Sequence, residues 1–242
     1  MNKFFRFFFS IYGLTVFVGS FFIVFPAYLI VLAIYNEKKA PFVAHRVNYY
    51  WAKCVMTLLL IRIKIEGLEN IDKNKAYVMV SNHRSQLDIV ACVLSCSNMF
   101  KYLAKEELTK MPVIGYAVKK FYIPVNRKSR EGRAQSITNM IEALKEGISV
   151  FIYPEGTRNK TDQPLIPFYD GAFRLAIGEQ VPMAVLTIIG AENLLSPKYT
   201  MSLHPGLIRC IWSKPIETTG MTVNDIESLK NKVKQTMLTH LT

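Results

Sequence analysis

Cysteine, histidine and acidic residues are scarce in this chain, and each shortage narrows what the protein can be. The four cysteines, Cys54, Cys92, Cys96 and Cys210, are scattered and form no CxxC pair. That excludes a disulfide framework and fits a reducing compartment. Cys92 and Cys96 have the i, i+4 spacing of two metal ligands on a helix, but in an apolar segment this is the spacing of buried helix-face thiols, so no metal site is expected. Asp and Glu total 18 against 30 Lys and Arg, a formal net charge of +12. The imbalance favours an anionic partner: nucleic acid, acidic lipid or a phosphorylated substrate. The basic residues lack interleaved aromatics, which argues against nucleic acid, and a hydrophobic content of 50% tilts the choice toward membrane. Internal repeats, low-complexity linkers and a second compact domain are also missing. The 242 residues fit one large domain with an appendage.

The most extreme absence is charge in "FFFSIYGLTVFVGSFFIVFPAYLIVLAIY", from Phe7 to Tyr35. As a helix this segment reaches about 40 Å, more than the roughly 30 Å hydrocarbon core of a bilayer. It is too long for the apolar region of a signal peptide, and "AIYNEKKAPF" offers no small-residue cleavage site. Gly13, Gly19 and Pro26 are tolerated in membrane helices and can mark a bend. Lys3 and Arg6 precede the segment, while Lys38, Lys39 and Arg46 follow it, so the positive-inside rule leaves orientation open. "FVAHRVNYYWAKCVMTLLLI", Phe42 to Ile61, reads as a second, aromatic-rich helix beside the first. Residues 1–61 are therefore read as a two-helix membrane anchor that spans or dips into the bilayer, and residues 62–242 as the α/β domain.

In that domain "IRIKIEGL" alternates like a strand. Further short apolar runs follow at 76–80, 119–125, 149–153, 182–189 and 207–212. Between them lie segments with helical spacing: "SQLDIVACVLSC", "KEELTKMPVIGYAVKK" and "REGRAQSITNMIEALKEG", the last with Ile137, Met140, Ile141 and Leu144 on one side. Near the carboxyl terminus Ile226, Leu229, Val233 and Met237 form one stripe of a packing helix, with Asn224 or Asp225 as its cap. The alternation predicts an α/β fold around a mostly parallel sheet flanked by helices.

Ligands of open α/β sheets gather beyond the carboxyl ends of strands, and three polar stretches sit there. In "SNHRSQLD" the spacing of Ser85 and Asp88 is that of a capping box that starts a helix. It also lets the Asp88 carboxylate reach one nitrogen of His83, leaving the other as a base. An isolated His-x4-Asp is more often a capped turn with a satisfied imidazole. No Gly-x-Ser-x-Gly elbow accompanies the pair, so any nucleophile should be a substrate hydroxyl. "IPVNRKSREGR" concentrates Arg127, Lys128, Arg130 and Arg133 after a strand, suited to a phosphate; its plainer reading is a solvated basic loop. "FIYPEGTRNK" ends a strand with Glu155, then Gly156, whose missing side chain permits close backbone approach to a ligand, then Thr157 and Arg158.

Taken together, "NHRSQLD", "VNR", "YPEGTR" and "VPMAV" resemble the four sequence blocks of the glycerolipid acyltransferase family, over about Ile63 to Trp212. The resemblance implies a glycerol-phosphate acyltransferase-like fold and no cofactor beyond acyl-CoA or acyl-ACP as co-substrate. It also implies membrane association with the active site on the cytoplasmic face, at the inner membrane if the source is bacterial. His83 matches the family's catalytic base and Asp88 the acid that orients it. Arg127 matches an arginine associated with the acceptor phosphate; Glu155, Gly156, Thr157 and Arg158 match the acceptor-binding block; Pro182 matches a proline linked to the acyl-donor side. Asn126 stands where the family often has an acidic residue, Tyr153 where it usually has Phe, and Ala184 near a second proline. The implied reaction is acyl transfer to the sn-2 hydroxyl of 1-acyl-sn-glycerol 3-phosphate, giving phosphatidic acid. Other lysolipid acceptors, or a non-catalytic role at anionic membrane surfaces, are the competing expectations. Backbone N–H groups near the His83 loop are the expected oxyanion donors.

Overall fold

The computed structural model describes residues 2–36, 39–110, 115, 118, 121–126 and 129–241. Two helices come first, α1 (Lys3–Ile34) and α2 (Ala40–Leu58). The charge-free segment is thus one continuous helix, with Pro26 inside it rather than at a break. Only Ser10, Gly13, Val24, Tyr28 and Val31 of α1 are buried, while most of its Phe, Ile and Leu side chains are exposed. It alone among the described helices is long and apolar enough to cross a membrane, and this mostly unburied state is unlike that of a soluble core helix. Small residues let α2 approach closely: Ala40 and Ala44 pack against Val24 and Val31. The Trp51 indole donates to Ser20 Oγ at 2.9 Å, and the Tyr28 hydroxyl donates to Asn48 Oδ1.

The strands are β1 (Ile61–Glu66), β2 (Val78–Ser81), β3 (Phe100–Lys105), β4 (Ile123–Val125), β5 (Ser149–Ile152), β6 (Met183–Ile189) and β7 (Gly206–Trp212). They form one sheet in the order β1-β7-β6-β2-β5-β3-β4. Every pairing is parallel except β6 with β7. The five strands from β6 to β4 therefore share one carboxyl edge, and β1 and β7 begin at that edge.

Alternation within β2 divides the core. Met79 joins Phe151, Leu186, Ile188 and Trp212 on the face covered by α2 and α3 (Leu87–Ser95). Val78 and Val80 join Val150 and Val185 on the other face, under α4 (Arg130–Lys145), α5 (Gly171–Gly178) and α7 (Ile226–Leu241). The short α6 (Ala191–Leu194) follows β6. The stripe expected on the last helix is buried throughout, at Ile226, Leu229, Val233 and Met237. Each such side chain contributes about 1.5–3 kcal/mol through burial.

Four local features differ from what the sequence predicts. Phe100–Lys105 is a strand that the sequence reading omits, because "FKYLAK" carries a lysine near each end and follows "SCSN". The eight-residue α5 hides between two glycines that read as punctuation. Thr222, rather than Asn224 or Asp225, caps the carboxyl-terminal helical segment, in a reciprocal box with Asp225. On α4, Ile137 is exposed, and Ser136, Met140, Ala143 and Leu144 make the buried face.

Candidate active site

The site is built outward from the end of β2. Asn82 is fully buried and continues the strand pairing with its side chain, donating to Ile188 O and accepting from Ile188 N–H, both at 2.8 Å. The backbone can then leave the sheet with its polar groups satisfied. Only half of the expected capping box forms: the Ser85 N–H donates to Asp88 Oδ2 at 2.7 Å, but Ser85 Oγ accepts from the Leu87 N–H at 3.2 Å rather than from Asp88, and the residue before the helix is Gln86. Helix α3 begins at Leu87, so Asp88 lies in its first turn.

Asp88 Oδ2 also accepts from the Arg84 N–H at 2.7 Å and from His83 Nδ1 at 2.9 Å. This fixes the neutral imidazole with its proton on Nδ1. Nε2 has no hydrogen bond among the described residues, and the His83 side chain is 13% exposed, open enough to meet a substrate. The ring stacks on Tyr153, with centroids 4.0 Å apart and planes 16° from parallel. Tyr153, at the end of β5, stays neutral because burial pushes its hydroxyl well above the usual range. It touches Cys92 Sγ at 3.4 Å. Burial likewise drives the Cys92 thiol up, and Cys210 to about 12, with the negative charge of Asp88 adding to both shifts. Neither cysteine supplies a thiolate nucleophile near neutral pH.

Glu155 is 1% exposed. Its Oε1 accepts the His83 N–H at 2.8 Å and its Oε2 the Ile166 N–H at 3.0 Å. Burial raises its pKa above the ordinary glutamate value, and the backbone donors of Ile166 and His83 partly offset that. Asn159 closes the other side: its N–H donates to His83 O at 2.7 Å, and its own buried amide ties Thr161 and Gln163 into the loop. The loop after β5 therefore grips the His83 backbone from both sides.

Gly156 has a left-handed backbone with φ +67°, and a Cβ there would come within 2.7 Å of the Tyr169 ring. The space that glycine leaves is thus filled by the chain's own tyrosine. Thr157 is exposed, and Arg158, half-buried, has no hydrogen bond or ion pair among the described residues. Its guanidinium is available to an anion.

The structure brings together His83, Asp88, Glu155, Gly156, Thr157 and Arg158. Arg127 and Lys128 lie outside the described residues. Their surroundings are visible: Ser129 caps α4, with its Oγ accepting from Gly132 N–H at 2.9 Å. Gly132 lets Asn126 lie so close that a Cβ would meet the Asn126 Cβ at 2.6 Å. Arg130 and Arg133 are exposed on the first turn of α4. Pro182 is not brought to the site. It precedes β6, whose first residue Met183 pairs with Val78, so Pro182 is level with Tyr77. His83 is six residues further along, about 20 Å by strand rise.

The N–H groups of His83, Arg84 and Ser85 are all used internally, by Glu155 and Asp88. The sequence also gives no notice of the parts played by Asn159 and Ile166. Asn82, placed between a buried strand and His83, carried a signal.

The sequence model of the family described as Acyltransferase matches residues 62–189. The chloroplastic 1-acyl-sn-glycerol-3-phosphate acyltransferase of Arabidopsis thaliana is 33% identical over 195 residues, 80% of this chain and 54% of its own. The 1-acyl-sn-glycerol-3-phosphate acyltransferase of Saccharomyces cerevisiae is 30% identical over 202 residues, 80% of this chain and 66% of its own. The chain thus spans between half and two thirds of the curated relatives it matches. The crystal structure of the 1-acyl-sn-glycerophosphate acyltransferase PlsC from Thermotoga maritima superposes with a TM-score of 0.83 at 25% identity, covering 100% of this chain and 96% of that one. A matched region of more than half the chain, containing the His83–Asp88 pair and the Glu155 loop, places this protein in the acyltransferase family.

Proposed function

We propose that this chain transfers a fatty acyl group from a thioester of coenzyme A or acyl carrier protein to the sn-2 hydroxyl of 1-acyl-sn-glycerol 3-phosphate, giving phosphatidic acid. The observation that carries this reading is the imidazole of His83, held through Nδ1 by a buried carboxylate with Nε2 left open. Nε2 takes the proton of the acceptor hydroxyl as its oxygen attacks the thioester carbonyl carbon. The new C–O bond forms, the tetrahedral intermediate collapses with cleavage of C–S, and the leaving sulfur receives the proton from Nε2. Asp88 stabilises the imidazolium between these steps. The step as written requires neither a metal nor a covalent enzyme intermediate.

Arg158 and Arg127 hold the acceptor phosphate, lowering the barrier through positioning. Glu155 supports the His83 loop rather than touching the acceptor, since both its oxygens are engaged. The N–H groups of Thr157 and Arg158, on the loop beside His83, are the remaining donors for the oxyanion. Residues 1–61 seat the domain in the membrane, α1 chiefly, so that the acceptor's acyl chain stays in lipid while its hydroxyl reaches His83. The site faces the cytoplasm in this arrangement, at the inner membrane in a bacterial cell.

The test is an assay of the full chain, purified in detergent, with lysophosphatidic acid and several other lysolipids, each with acyl-CoA and acyl-ACP. Turnover highest with lysophosphatidic acid is expected. A preference for another lysolipid would reassign the acceptor, and no transfer to any acceptor would overturn the enzyme.

A further inference from the structure

The margin of the sheet at β1 carries a feature the reaction does not use. β1 is an edge strand. Beside it, the carboxyl-terminal half of α2 and the β1–β7 pair leave an open groove of about 860 Å³, within the range of about 300–1,000 Å³ typical of small-molecule sites. Met56, Leu60, Ile63, Ile65, Leu94 and Leu207 give it an apolar lining. Met56, Ile63 and Leu94 belong to or pack against the core, whereas Leu60 is 65% exposed and Leu207 48% exposed, so the rim of the groove is apolar surface open to the surroundings. Leu60 also has a left-handed backbone, φ +53°, a conformation that is strained for a residue with a Cβ. A strained leucine lining an open groove is poor design for water and sound design for lipid.

Two cations complete the groove. Lys53 on α2 and Arg62 on β1 line it and are exposed, and neither has an ion-pair partner among the described residues. Their neighbours differ: Lys64 and Arg209 both pair with Glu66. Tyr49, an amphipathic ring suited to a membrane interface, lies one turn before Lys53 in the same lining. A free phosphate would account for the cations but not the apolar channel, and a neutral lipid for the channel but not the cations. The groove is also continuous with the membrane-seating part of the chain, since α1 reaches its end through the Tyr12 hydroxyl on Leu58 O at 3.1 Å.

We propose that this groove binds an anionic diacyl phospholipid of the bilayer, its phosphate between Lys53 and Arg62 and an acyl chain along Leu60, Ile63, Ile65 and Leu207. The site is separate from the acceptor's, and it rests on α1 being seated in a membrane, not on which lysolipid is acylated.

The experiment uses the full chain in zwitterionic detergent, with retained lipid counted by native mass spectrometry after addition of equal phosphatidylglycerol and phosphatidylcholine. The wild type should retain phosphatidylglycerol preferentially. Lys53→Gln with Arg62→Gln should reduce that preference by about fivefold per cation, from roughly 1 kcal/mol for each basic residue near an anionic lipid surface. Lys64→Gln, which removes a paired cation, should leave it unchanged. Leu60→Asn should raise thermal stability, since Asn tolerates the left-handed backbone, while weakening retention. Acyl transfer in the detergent alone should be the same for the wild type and the double glutamine variant. Equal retention of the two lipids, an unchanged preference in the double variant, or displacement by millimolar inorganic phosphate would overturn the proposal. So would an Arg62→Cys disulfide between two copies, which would assign the groove to a dimer, or loss of acyl transfer in the folded double variant. Failure of the wild type to acylate any lysolipid would leave the retention measurement valid.

Discussion

One oxygen of Asp88 gathers three donors of the His83 turn. Oδ2 accepts from His83 Nδ1 at 2.9 Å and from the N–H groups of Arg84 and Ser85 at 2.7 Å each. Orientation of the base and conformation of its loop are therefore one constraint. Asp88→Asn keeps an oxygen for the loop but removes the charge that stabilises the imidazolium. A fall in kcat of about 10²–10⁴-fold is expected, the range for general acid–base groups, with the thermal transition little changed. His83→Ala should abolish transfer while membrane association persists. Turnover retained in the His83 variant would remove it as the base.

Glu155 offers a sharper test because its proposed action is indirect. Glu155→Gln can satisfy one of its two backbone donors but turns an amide group toward the other. The expected result is a fall in kcat with little change in acceptor KM; a selective rise in KM would instead place Glu155 on the acceptor.

The same residue sets a pH dependence of stability. Its folded pKa is raised by burial, so the folded chain keeps a proton that the unfolded chain has already lost. Stability should decline as pH rises from the ordinary glutamate value to the raised one, and be flat on either side of that window. Urea midpoints across this range should show the slope in the wild type and its loss in Glu155→Gln.

Tyr153 stacks on His83 through its ring, whereas its hydroxyl is turned to Cys92 and Tyr102. Tyr153→Phe should therefore keep most activity, and Tyr153→Ala should lower kcat by removing the surface against which the imidazole lies. Equal losses in both would assign the function to the hydroxyl.

Arg158→Ala should raise the apparent KM for the phosphorylated acceptor substantially while leaving that for the acyl donor near its wild-type value. An unchanged acceptor KM would exclude Arg158 from the phosphate site.

Much of this protein is legible along the chain because the relevant physics is local. Charge-free residues 7–35 make an apolar helix whatever surrounds them. The alternation of apolar runs with 3.6-residue stripes announces a layered α/β fold. His83 and Asp88 are close enough in sequence that one turn and one helix start bring them together. What adjacency could not reveal was decided by the sheet. Parallel pairing of β2 with β5 brings Glu155 under the His83 N–H across 72 residues, where its carboxylate is buried and bonded to two backbone donors. The same pairing lays Tyr153 against the imidazole. Pairing of β2 with β6 put Asn82 on Ile188 and carried Pro182 to the far edge. Strand order and register fix these relationships. They depend on the simultaneous burial of both sheet faces, a property of the whole chain that no short stretch encodes.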